Sequence, residues 1–136
     1  MRGTSRVDSG LEAIDHAGLE PALADPDRPG TILELIGDVA VVVWLLGSAD
    51  GEADELAAIH GPRLERLLEK LVDTPVRGFA YEDEGSVSPE LLTGGREIVD
   101  TAARTWRIPV ATLGRGGDED EWAREAADTV ASLLEP

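Results

Sequence analysis

The run Glu82-Asp83-Glu84 lies in this 136-residue sequence where a strand is expected to end, and its side chains could move protons. Neighbouring carboxylates raise one another's pKa, and a raised carboxyl is a workable general acid. That role needs a partner, and neither His16, His60 nor the single lysine, Lys70, stands beside the run. The three acids are therefore expected to be exposed loop residues, and no catalytic residue is assigned. The run lacks the Asp-x-Asp-x-Asp-Gly spacing of a calcium loop. With two separated histidines and no cysteine, no zinc site is expected, and thiolate chemistry and disulfides are excluded.

Arg2 and Arg6 could meet a phosphate, although arginines so placed are usually solvated. Asp25 precedes a proline, where an aspartate commonly serves a turn. His60 stands beside Gly61-Pro62 and reads as a half-exposed helix residue. Trp44, Trp106 and Trp122 read as packing residues rather than a stacking platform.

The 28 acidic and 12 basic side chains give a net charge of -16. A nucleic-acid surface must present positive charge to displace counterions, so no nucleic-acid partner is expected. The acid excess reads as a solvated surface. The longest apolar run, Val39 to Leu46, is far too short to cross a bilayer, and no apolar stretch of signal-peptide length opens the chain. No membrane partner is expected, and a cytoplasmic location is the default.

The elements that must position these residues alternate between strand and helix. Leu11 to Ala17 has helical character, Leu19 to Ala24 reads as a short strand, and 25–30 as a loop. Thr31 is expected to cap a short helix running to Ile36. The octet 39–46 is β-branched without polar alternation, which predicts a central strand of a parallel sheet with both faces covered. The spacing of Leu56, Ile59, Leu64, Leu67, Leu68 and Leu71 predicts one long helix from about Asp54 to Val72, kinked or split at Pro62. Val76 to Tyr81 reads as a short, mixed strand. Ser88-Pro89-Glu90 starts a helix that runs to Trp106, with a break expected at Gly94-Gly95. A strand from Ile108 to Leu113 precedes a last helix, Asp118 to Leu134, whose opening acids suit the positive end of the helix dipole. This order predicts one α/β domain over 1–136, a parallel sheet with helices on both faces, with ligands at the carboxyl ends of the strands.

Against that layout, several segments resemble the extended and atypical short-chain dehydrogenase/reductases, the NAD(P)-dependent epimerase/dehydratase and NmrA-like group. Met1-Arg2-Gly3-Thr4-Ser5-Arg6 is similar to the end of the family's second strand, and Leu19 to Asp25 to its third. Gly37 to Ala49 is similar to the fourth strand and the small-residue loop after it. Leu64 to Glu69, Val76 to Tyr81, and the stretch from Arg96 to Leu113 resemble the family's next helix, strand and helix-strand pair. The resemblance implies a Rossmann-like fold and NADP or NAD as cofactor. It implies a cofactor site at Gly3, Thr4, Ser5, Arg6, Asp25, Pro26, Leu46, Gly47 and Ser48.

The chain also departs from the family. The first strand and its glycine-rich turn, which hold the pyrophosphate against a helix N-terminus, would lie before Met1. The family's catalytic serine falls at Asp83 or Glu84, its tyrosine at Pro89 and its lysine at Thr93, none of which can do the same chemistry. The expectation is a non-catalytic binding or regulatory domain with weak or no dinucleotide affinity. Two alternatives stand beside it. One is a fragment or mis-started form of an active reductase or epimerase, whose frame opens roughly 30 residues upstream. The other is an interaction module that forms a homodimer through exposed sheet edges.

Overall fold

The computed structural model describes residues 2–5, 9, 11–12, 15, 20–26, 28–33, 35, 41–47, 49–114 and 118–134. In chain order its elements are β1 (Arg2–Ser5), β2 (Glu20–Leu23), α1 (Pro29–Leu33), β3 (Val41–Trp44), α2 (Ala53–Ile59), α3 (Pro62–Leu71), β4 (Gly78–Glu82), α4 (Pro89–Trp106), β5 (Val110–Leu113) and α5 (Glu119–Leu133). The strands form two parallel sheets, β1-β2 and β3-β4-β5. Of the helix expected over Leu11–Ala17, Leu11, Glu12 and Asp15 are helical and the rest lies outside the described residues.

Strand β4 is the centre of the larger sheet, and all five of its residues are buried. This corrects the expectation that the octet 39–46 supplies the covered central strand. Within that octet the strand is Val41–Trp44, parallel to β4 and, among the described residues, at the edge of the sheet, and Val43 and Leu45 are 37% and 48% exposed. The short, mixed segment around Phe79 holds the interior place because it pairs on both sides.

The core gathers where the helices meet β4. Leu64, Leu67, Leu68 and Leu71 recur at helical spacing along α3 and are all buried, with Phe79, Tyr81, Val99 and Trp44. Each such side chain contributes roughly 1.5–3 kcal/mol on leaving water. The expected long helix is two helices: Pro62 has no amide to donate and its ring crowds the preceding turn, so α2 stops at Ile59 and α3 restarts at Pro62. The break expected at Gly94-Gly95 does not occur, and α4 is continuous. A Cβ at Gly95 would strike the Tyr81 hydroxyl, so the glycine lets α4 approach β4 closely. A Cβ at Gly94 would meet nothing within 4 Å. That glycine costs about 1 kcal/mol of helix stability relative to alanine, with no packing among the described residues to require it.

Two end features differ from expectation. Thr31 does not cap α1 but sits inside it, with its hydroxyl donating to carbonyl oxygens of Asp25 and Arg28 and accepting from the Asp25 amide at 2.8 Å. Asp118, expected as the first residue of the last helix, is instead the N-cap of α5, its Oδ1 accepting from the Glu121 amide at 2.8 Å.

Candidate functional site

The carboxyl ends of β3 and β4 meet in a hydrogen-bonded cluster. Leu46 and Gly47 follow β3. The Gly47 amide donates to Glu82 Oε1 at 2.9 Å, and its carbonyl accepts from the Val87 amide at 3.0 Å. A Cβ on Gly47 would collide with the Glu84 carbonyl and the Glu82 side chain, so only glycine fits between the two exit loops. Glu82 is fully buried, which corrects its expected place as an exposed loop acid. It is the last residue of β4, on the face opposite Tyr81, and it ties the β3 exit to the β4 exit. Asp83 is half-buried and pairs with Arg96 at 3.8 Å, while Glu84 is exposed with its carboxylate against Gly114.

His60 is likewise buried rather than half-exposed. Its Nε2 donates to the Leu46 carbonyl at 2.9 Å, which leaves Nδ1 to accept the Tyr81 hydroxyl proton at 2.6 Å. A carbonyl can only accept, so the neutral ring has a fixed tautomer. Burial lowers the His60 pKa below its ordinary 6.5, against a smaller raising contribution from the Leu46 hydrogen bond. Burial, and secondarily the nearby Asp83 charge, raises the Tyr81 pKa above its ordinary range. The histidine thus holds the β3 exit from beneath, neutral at its ordinary pKa. The adjacent proline-glycine pair gave no sign of this; the clue was Tyr81, one strand away in an inward position.

Beside this cluster is a small depression of about 60 Å³ whose walls include Pro26, Leu46, Ala49, Asp50, Glu55 and Ile59. It brings together Pro26 and Leu46, two expected cofactor residues from separate strand ends. Gly3, Thr4 and Ser5 lie in β1 and are not among its walls. Asp25 uses its backbone in a turn, its carbonyl accepting from the Arg28 amide at 2.9 Å. Arg6 and Ser48 lie outside the described residues. Pro89 is the first residue of α4 and Thr93 is exposed on it. Trp44 is in the core, Trp106 packs against it, and the Trp122 indole donates to the Gly114 carbonyl. Among the described residues no group of three or more His, Cys, Asp or Glu side chains is placed to hold a metal, and no helix is long and apolar enough to cross a membrane.

Parallel strands joined by helices, with a candidate site at the strands' carboxyl ends, define a Rossmann-like α/β domain. No family model and no curated protein matches the sequence. Among solved structures the chain is similar to the triphenylmethane reductase of Citrobacter sp., with a TM-score of 0.61 and 18% identity over 89% of this chain, in a structure complexed with NADP(H). A second structure of that reductase gives the same score and identity. The chain spans 42% of the first reductase chain and 41% of the second. The Rossmann-like fold implied by the sequence resemblance is therefore borne out.

Proposed function

We propose that this chain is a dinucleotide-binding-type domain without catalytic residues of its own, acting in binding or regulation. The observation that carries the reading is the joint presence of Pro26 and Leu46 in one depression at the strand ends. The similar reductase, in its NADP(H) complex, supports a nicotinamide dinucleotide as the ligand class. The charged walls of the depression, Asp50 and Glu55, are both acidic. They suit ribose hydroxyls, which donate to carboxylates, and repel a pyrophosphate, so the expected affinity is weak. A thermal-shift titration with NADP(H), NAD(H) and ADP tests this, because a ligand that binds only the folded chain raises its midpoint. A rise at millimolar concentration that Leu46→Asp abolishes is expected. No rise with any of the three overturns the reading.

The open edges favour a second reading. Among the described residues β1 pairs only with β2, and β3 only with β4. One further parallel strand could pair with both free edges. In this reading it is encoded ahead of Met1 and carries the glycine-rich turn, and the longer protein is an active reductase or epimerase. Genomic sequence decides the matter: a glycine-rich in-frame stretch upstream supports it, and an immediate in-frame stop codon defeats it.

A further inference from the structure

On the side of the molecule where α3 and α4 pack together, they enclose a groove of about 460 Å³. Its floor is apolar, with half-buried Ile98 and Trp106 lying over buried Leu68 and Ala102, and its rims carry Glu65 and Glu69 on α3 and Glu97 on α4. No basic side chain lines it, and none of the three glutamates makes an ion pair among the described residues. Glu65 and Glu69 are four residues apart on one helix, a spacing at which like charges destabilise the helix. Gly94 opens onto the same groove, and among the described residues nothing lies within 4 Å of the space its missing Cβ leaves. Both features disfavour the isolated chain, and one occupant would account for both. A cationic group would relieve the glutamates, and a closely approaching backbone would use the room at Gly94.

We propose that the α3-α4 groove docks an amphipathic helix of a second protein, with an apolar stripe seated on the half-buried Ile98 and Trp106 and flanking Lys or Arg side chains paired with Glu65, Glu69 and Glu97. Helix-in-groove recognition needs an apolar floor for anchors at helical spacing and a rim that selects charge, and both are present. A second copy of this chain is disfavoured as the occupant. It would set the same three carboxylates against one another, on molecules each carrying a net charge of -16. The site is separate from the depression at the strand ends, so the two readings stand or fall independently.

The probe is a fluorescein-labelled synthetic helix of about 18 residues, a leucine stripe flanked by lysines, titrated by anisotropy at roughly 0.15 M salt, where distant charges are screened. Saturable binding is expected, with a shift of the Trp106 indole N–H resonance. Replacing the rim glutamates together (E65Q/E69Q/E97Q) should weaken binding about tenfold. Removing the same charge from α5 (E119Q/E121Q/E125Q) should leave it unchanged, and Gly94→Leu should abolish it while circular dichroism shows an intact fold. Absence of binding overturns the proposal, as does equal weakening by both triple variants, which would mean general attraction to an acidic surface. A dimer in sedimentation equilibrium that Gly94→Leu dissociates also overturns it, by making a second copy the occupant.

Discussion

Strands β3 and β4 lie side by side in one parallel sheet, yet the more apolar of the two is the more exposed. β3 reads Val-Val-Val-Trp, while β4 reads Gly-Phe-Ala-Tyr-Glu, with a carboxylate among five buried residues. The difference comes from position. β4 has a strand on each side and helices against its side chains, whereas among the described residues β3 has one strand partner and leaves Val43 and Leu45 exposed. Even the buried indole N–H of Trp44 on β3 finds no acceptor among the described residues. An apolar run therefore reports how much a strand can bury, and pairing decides how much it does bury. Where capacity exceeds burial, as on β3, the surface is a place for another element to cover.

The sharpest way to break this comparison is to truncate one residue on each strand. Phe79→Ala removes a fully buried ring that packs near Trp44, at a centroid distance of 6.3 Å, and should cost about 3–5 kcal/mol in urea denaturation. Val43→Ala, at a site 37% exposed, should cost about 1 kcal/mol or less. An equal loss at both positions would mean that β3 is covered in solution, by a further strand or a second chain.

The adjacent glycines of α4 sharpen the same contrast with a smaller effect. Gly95→Ala drives a methyl into the Tyr81 hydroxyl against β4, and should cost about 1–3 kcal/mol as strain. Gly94→Ala meets open space and should stabilise by about 0.5–1 kcal/mol through helix propensity alone. Thermal melts of the two variants are expected to move in opposite directions. A loss at Gly94 would show that the groove it faces is filled in the folded protein.

How much of this was legible in the sequence follows from which interactions are local. The alternation of elements, the α3 leucine spacing, the proline break between α2 and α3 and the acidic start of α5 depend on near neighbours, and they could be read from the residues. The ranking of β3 over β4 failed because edge or centre is set by which strands pair, which no run of residues encodes. The burial of His60 and Glu82 was missed for the same reason, since their partners lie 14 to 35 residues away along the chain. Gly95 looked like a helix break because glycine propensity is a local statistic, and the contact with Tyr81 that requires it is not. At the candidate site, Pro26 and Leu46 were both foreseen, and only the folded chain shows that they share a wall.

The finest test of the closed region around β4 is its pH dependence. His60 has a lowered pKa in the folded state, so between that value and the ordinary 6.5 the unfolded chain binds more protons. Stability is then fully present above about 6.5 and declines as pH falls below it. Protonation would put a second N–H against the Tyr81 oxygen and force the hydroxyl hydrogen away from its acceptor. Tyr81 has a raised pKa, so above its ordinary 10.0 the unfolded chain loses a proton that the folded chain keeps, and stability declines as pH rises further. Midpoints measured by circular dichroism from acid to alkaline pH should form a plateau between these limits. His60→Gln should flatten the acid limb and Tyr81→Phe the alkaline one. If both limbs survive the two substitutions unchanged, the titration belongs to other groups, and the buried histidine-tyrosine pair does not set the limits of the fold.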